Sequence, residues 1–287
     1  MTPIIETKHL AHTYSKGTPF EKNALSDVCF SALPGECVGI IGHTGSGKST
    51  LMQHLNGLLK PTAGQVLFEG RDIHATKEVT RALRFAVGLV FQYPEYQLFD
   101  ETVYKDIAFG PKNMGITGDA LDYRVGKAAE LVGLTGDLLE KSPFALSGGQ
   151  KRRAAIAGVM AMEPKVLILD EPTAGLDPKG REEILANIET FRKNTGATII
   201  FVTHSMEEIA KVADRIVVMQ HGAIAMTGAR ADIFAQAERL TGMGLDVPEV
   251  TQIILALRKA GMDLPENALT VDDAVRMIRQ KVGKGLC

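Results

Sequence analysis

Short apolar runs closed by glycine, proline or a charged residue recur along this chain, and between them apolar positions repeat at helical spacing. Residues 4–10 and 24–30 predict two strands around the polar turn Ser15-Lys16-Gly17-Thr18-Pro19. The run Cys37–Ile41 predicts a strand, residues 48–59 a helix stopped by Lys60-Pro61, and residues 65–72 a hairpin turning at Glu69-Gly70. Ala86–Phe91 predicts a strand ending on Gln92. Residues 102–162 look helical, with breaks at Gly110-Pro111, Gly115–Gly118 and Gly133–Gly136. Lys165–Glu171 and Ala197–Thr203 are almost wholly apolar, as buried parallel strands are. Residues 214–220 and 223–226 read as a closing hairpin. Beyond residue 229 the pattern becomes amphipathic helix, clearest at 248–260 and 271–281. The sum is an α/β chain with a helical insertion and a helical tail.

The strongest chemistry follows the run at Cys37–Ile41. Gly42-His43-Thr44-Gly45-Ser46-Gly47-Lys48-Ser49-Thr50 fits the phosphate-binding loop GxxxxGK[ST], with a strand before it and a helix after it. Glycines let backbone N–H groups close on an anionic oxygen, and the helix adds its positive end. Lys48 supplies a point charge for the β- and γ-phosphates, and the Ser49 hydroxyl can ligate Mg²⁺. The chain is therefore expected to bind a nucleoside triphosphate. Leu146-Ser147-Gly148-Gly149-Gln150 forms a second glycine-rich helix start with serine at the cap, another oxyanion site.

Val166-Leu167-Ile168-Leu169 runs into Asp170-Glu171. Asp170 suits Mg²⁺, directly or through water, and Glu171 suits orienting or deprotonating an attacking water. Pro172 is expected to hold Glu171 extended at the strand tip. Gln92 can reach the metal or the water, or merely cap its loop. Asp177, before Pro178, reads equally as a helix cap. Tyr14 can stack on a nucleobase or belong to the core, and Phe20 competes for the stacking role. Of seven histidines only His204 is expected at a strand terminus.

Composition adds limits. With 287 residues, 45% hydrophobic and 23% charged, one large domain or one domain with an appendage is expected. The net charge of −2 lacks the basic excess of a nucleic-acid protein. Cys29, Cys37 and Cys287 show no metal or redox spacing; Cys29 and Cys37 read as buried thiols of a reducing compartment. No HExxH or Cys/His cluster is visible, so zinc is not expected. No leader and no run of roughly 20 apolar residues appears, which predicts a soluble, cytoplasmic protein.

The order of phosphate loop, Gln92, Leu146–Gln150, Asp170-Glu171, Asp177 and His204 resembles the ATP-binding subunits of ABC transporters over residues 4–230. That resemblance implies a P-loop ABC ATPase domain over 1–229, with a RecA-like α/β core, an N-terminal antiparallel β subdomain and a helical signature subdomain at about 93–163. Residues 230–287 would be a C-terminal helical extension. ATP and Mg²⁺ would be the ligands, with Lys48 and the loop amides on the phosphates and Ser49, Gln92 and Asp170 at the metal. Glu171 would polarise the water, and His204 would anchor the γ-phosphate. Tyr14 looks like the adenine-stacking aromatic. Two ATPase domains would pair head to tail, so that Ser147, Gly148, Gly149 and Gln150 of one act in trans on the other's nucleotide and Asp177 lies at the interface.

Residues 92–99, 109–116 and the helical tail look like energy-coupling factor (ECF) transporter ATPases. Residues 42–48 and 174–181 are similar to the second of their two ATPase types. Ala174-Gly175-Leu176-Asp177 departs from the Ser-Ala-Leu-Asp common in ABC proteins. The implied partners are a sister ATPase in a homo- or heterodimer, a transmembrane coupling protein and substrate-binding membrane subunits for vitamins or metal ions. The implied place is the cytoplasmic face of the membrane. The expected docking surface is Tyr93, Tyr96 and Phe99 beside Asp100 and Glu101, if those aromatics are not local core. A non-transport ABC ATPase acting on nucleic acid or ribosomes is the alternative. It fits less well a chain with one ATPase unit and only 53 residues between Gln92 and Leu146.

Overall fold

The computed structural model describes residues 2–265 and 268–282. Strands β1 (Ile5–Tyr14), β2 (Lys22–Val28) and β3 (Ser31–Ala32) open the chain, followed by β4 (Cys37–Ile41) and helix α1 (Lys48–Leu55). Then come β5 (Ala63–Phe68), β6 (Arg71–Asp72), α2 (Lys77–Ala86) and β7 (Val87–Val90). The insertion holds α3 (Val103–Asn113), α4 (Asp119–Leu131), α5 (Gly136–Leu139) and α6 (Gly148–Met160). The chain returns through β8 (Val166–Asp170), α7 (Pro178–Thr195), β9 (Thr198–Val202), α8 (Met206–Val212), β10 (Arg215–Gln220) and β11 (Ala223–Ala229). Helices α9 (Arg230–Phe234), α10 (Ala237–Gly242), α11 (Glu249–Lys259) and α12 (Val271–Val282) follow.

Two sheets result. One is antiparallel, in the order β2-β1-β5-β6 with β3 beside β1; the other runs β11-β10-β4-β9-β8-β7. In the second, β10, β4, β9, β8 and β7 are parallel, and only β11 is antiparallel. Every residue of β4 and β9 is buried, as expected of central strands covered on both faces. The carboxyl ends of β4, β7, β8 and β9 lie side by side. They deliver the phosphate loop, Gln92, Asp170-Glu171 and His204 to one edge, where open α/β sheets bind ligands. One core includes Ile41, Leu169, Phe201 and α6, and extends to Ile233, Phe234, Leu240 and Val247; Val250, Ile254, Leu264 and Ala274 form a small separate core.

Three local expectations change. Helix α1 stops at Leu55 rather than 59, because Gln53 O takes both Leu58 N–H (2.8 Å) and Leu59 N–H (3.1 Å) in a closing turn. Gly110-Pro111 does not break α3. Pro111 sits in the last turn, where few further bonds remain to lose, and the helix runs on to Asn113. Helices α2 and α8 occupy stretches where no element was expected. Both carry a side-chain cap, Thr76 on Val79 N–H and Ser205 on Glu208 N–H.

Candidate functional site

The loop between β4 and α1 is shaped by close approach. At Gly42 (φ 155°) a Cβ would stand 2.4 Å from Met219 O, and at Gly47 (φ 103°) 2.8 Å from Ala24 O, so no larger residue fits either. Ser46 is fully buried and its Oγ has no partner. His43 Nδ1 lies 2.7 Å from Thr44 O. Lys48 donates from Nζ to Gly42 O (2.5 Å) and His43 O (3.1 Å), which folds the ammonium over the loop. Burial lowers its pKa, against the pull of the Glu171 and Asp170 carboxylates.

Tyr14, Lys22, Ala24, Thr44, Gly45, Gly47, Lys48, Ser49, Thr50, Gln92, Asp170 and Glu171 border one cavity of about 410 Å³. Phe20, 83% exposed, does not border it. The Asp170 carboxyl is pushed up to about 6 by burial and then by the negative charge of Glu171, against Lys48. Ser49, Gln92 and Asp170 offer the hard oxygen donors that Mg²⁺ takes, with the Glu171 carboxylate beside them. The residues fit Mg²⁺.

Glu171 is not extended. Its φ is +48°, in the left-handed region. The strand ladder holds its N–H on Val202 O at 2.8 Å while its carbonyl already accepts from Ala174 N–H at 3.1 Å, so the turn is forced at this one residue. Its side chain is gripped from two sides: Gln92 Nε2 donates to Oε2 (2.9 Å) and His204 Nδ1 lies 3.1 Å from Oε1. His204 is otherwise exposed and joins the site only through Glu171. It is not alone at a strand end, since His221 directly follows β10 and its ring centroid lies 5.7 Å from that of His43.

Beneath Tyr14 runs a polar thread absent from the sequence reading. The phenol lies 3.2 Å from Thr50 Oγ1, and its ring meets His12 edge-on at 4.5 Å between centroids. His12 Nδ1 lies 3.2 Å from His54 Nε2, and His54 Nδ1 donates to Thr50 O at 2.7 Å. That donation leaves Nε2 of a neutral His54 as the acceptor. Burial lowers the His54 pKa. Strand β1 is thereby tied to the phosphate-loop helix.

Ser147 caps α6 in a reciprocal box with Gln150: Ser147 N–H reaches Gln150 Oε1 (3.0 Å) and Gln150 N–H reaches Ser147 Oγ (3.3 Å). Gly148 and Gly149 complete the first turn, and nothing lies within 4 Å of where their Cβ atoms would be. Ser147 and Gly149 line a separate cavity of about 540 Å³ with Asp177 and Lys179. Asp177 caps α7 by accepting Gly180 N–H at 2.7 Å. The two helix ends of one chain therefore do not share a cavity.

Two supporting groups were missed. Arg152, 3% exposed, forms a two-pronged ion pair with Glu95 (Nη2–Oε1 2.8 Å, Nε–Oε2 3.1 Å), bonds Ala174 O and stands over the Tyr93 ring. It fastens the segment after Gln92 to α6 and to the turn behind Glu171. Buried Glu208 accepts from Thr173 Oγ1 (2.8 Å) and Thr203 Oγ1 (3.0 Å), joining the turns after β8 and β9. The aromatics after Gln92 are not local core. Tyr93, Tyr96, Phe99 and Phe109 are 45%, 85%, 61% and 49% exposed, and Phe99 and Phe109 edge a groove of about 310 Å³ floored by Leu98 and Ala154.

The thiols also differ from expectation. Cys37 is buried, which pushes its pKa up to about 12, but Cys29 is exposed. Folding brings Cys29 to His9 and Asp27, a cluster that no spacing in the sequence announces. Cys287 lies outside the described residues.

A phosphate loop at the end of a parallel strand, a strand-end carboxylate pair and a serine-capped glycine turn define the ABC class of ATPases. The ABC transporter family profile matches residues 25–174. The chain belongs to that family, among its energy-coupling factor transporter ATP-binding proteins. It is 55% identical to the energy-coupling factor transporter ATP-binding protein EcfA2 of Clostridium perfringens, over 94% of this chain and 95% of that one. The EcfA2 protein of Caldanaerobacter subterraneus subsp. tengcongensis is 53% identical over 94% of each. Among solved structures, cbiO1 of Clostridium perfringens, part of the ABC transporter complex cbiONQ, superposes with a TM-score of 0.75 and 39% identity, covering 89% of this chain and all of that one. The cassette MJ0796, dimeric in a post-hydrolysis state bound to ADP and Pi, gives 0.72 at 27% identity, covering 79% of this chain and 98% of the other.

Proposed function

We propose that this chain is the ATP-hydrolysing motor subunit of an ECF-type importer, working at the cytoplasmic face of the membrane and driving uptake of a vitamin or metal ion through membrane partners. The observation that carries the reading is the single cavity bordered by Tyr14, Lys48, Ser49, Gln92, Asp170 and Glu171. In it Lys48 and the amides of the loop bind the phosphates, and Tyr14 receives the base. Ser49, Gln92 and Asp170 would hold Mg²⁺, which would neutralise charge on the terminal phosphates. Glu171 orients the attacking water and accepts its proton, held in place by Gln92 and His204. His204, freed from Glu171, donates to the γ-phosphate.

The separate groove of Ser147, Gly149 and Asp177 supports a head-to-tail dimer in which that turn closes on a partner's γ-phosphate. The exposed groove at Phe99 and Phe109, beside Asp100 and Glu101, suits a basic helix of a coupling protein. No described helix is long and apolar enough to cross a membrane, so transport requires such partners. The test is affinity purification from detergent-solubilised membranes with ATP turnover measured on the product. A sister ATPase and a polytopic membrane protein should accompany an ATP-hydrolysing chain; recovery of the chain alone, or with nucleic acid, would overturn the reading.

A further inference from the structure

Strands β1 and β2 form a ribbon with two ends. At one end Tyr14 pairs with Lys22 and borders the nucleotide cavity. Near the other, around the pair Leu10–Val28, stand His9, Asp27 and Cys29, all exposed and none used by the reaction. His9 Nδ1 lies 2.7 Å from Asp27 Oδ1 and 3.9 Å from Cys29 Sγ, and all three donor atoms fall within 4.8 Å of one another. The backbone is bent to achieve this. His9 and Asp27 both adopt left-handed φ, 49° and 52°, a region that His and Asp enter more readily than most side-chain-bearing residues. Gly64 of β5 presses on that bend so closely that a Cβ there would stand 2.2 Å from His9 O.

We propose that His9 Nδ1, Asp27 Oδ1 and Cys29 Sγ form a surface site for a zinc-like transition-metal cation, with a fourth position left to water. Imidazole, carboxylate and thiolate together suit Zn²⁺ and its first-row neighbours, whereas Mg²⁺ and Ca²⁺ prefer all-oxygen shells. Tetrahedral Zn²⁺ places such atoms about 3.3 Å (N···O) and about 3.6 Å (N···S) apart. The His9–Asp27 contact must open and the thiol must close on His9 Nδ1 (3.9 Å) and on an Asp27 carboxylate oxygen (within 4.8 Å), movements that exposed side chains allow. On binding, the Cys29 thiol gives its proton to solvent. The hydrogen of a neutral His9 moves from Nδ1 to the solvent-facing Nε2 through water. One proton is released per metal, so affinity rises with pH. Occupancy pins β1 to β2 at the end of the ribbon away from the nucleotide.

The experiment titrates Co²⁺, then Zn²⁺, into the nucleotide-free full-length chain. One Co²⁺ per chain should give a thiolate-to-metal charge-transfer band that Zn²⁺ abolishes and Mg²⁺ leaves unchanged. Cys29→Ser should remove the band, His9→Gln should weaken binding at least tenfold, and Cys287→Ser should keep it. Parental ATP affinity in the Cys29→Ser and His9→Gln proteins verifies their fold. A band that survives in Cys29→Ser, or no band in the parent at stoichiometric metal, overturns the assignment. Neither outcome depends on the transport reading.

Discussion

Gln92 donates its side-chain amide to Glu171 Oε2 across 2.9 Å, so a residue just past the end of β7 holds the carboxylate just past the end of β8. Lateral pairing of two strands thus becomes an aimed side chain. Glu171→Gln keeps the shape but cannot accept a proton. ATP turnover should fall by about 10²-fold or more while nucleotide affinity stays near parental, as measured by phosphate release and equilibrium binding. Parental turnover would remove Glu171 from the proposed role.

Glu95→Ala leaves the Arg152 guanidinium buried with its main anionic partner gone. The cost should be about 3 kcal/mol in denaturant unfolding. Arg152→Met, which removes the charge and keeps much of the volume, should cost less. Equal losses in both would assign the effect to packing.

Charge reversal at Asp100 and Glu101 should weaken recovery with the membrane partner and leave ATP binding intact. The Glu101–Lys105 ion pair it removes is exposed and contributes little to the fold. Pull-down from solubilised membranes, run beside a nucleotide-binding assay, separates the two effects. Unchanged recovery would remove these carboxylates from the docking surface.

His54 gives the fold an acid limit. Its pKa is lowered by burial, so below about 6.5 the unfolded chain takes up a proton that the folded chain refuses, and stability falls with pH. The slope from this one group reaches at most about 1.4 kcal/mol per pH unit. Urea unfolding between pH 7 and 5 should show a shallower decline for His54→Gln than for the parent; identical slopes would mean the imidazole carries no such linkage.

What could be read from sequence was whatever is local. Gly42, Gly47 and Lys48 declare themselves within nine residues, because a loop that wraps an anion is built from consecutive backbone groups. The all-apolar strands were legible for the same reason. Arg152 was not: its partner Glu95 is 57 positions away, and the cap that starts α6 gives no hint of what the helix's far face meets. Glu208 likewise finds Thr173 across 35 positions. Pro172 suggested an extended Glu171, but the ladder bond to Val202 overrode that local preference. Cys29 lies in an apolar stretch and still faces solvent, because it alternates with buried Val28 and Phe30 on either side.

Side-chain ties hold the molecule unequally, and Arg152 concentrates them. One guanidinium grips Glu95, Tyr93 and the Ala174 carbonyl at once, so the stretch leading to the Phe99 groove is tied to the turn after Glu171. If a membrane partner seats in that groove as proposed, its push would reach the backbone three residues past Glu171 through this one side chain, as a trigger is reached through its linkage.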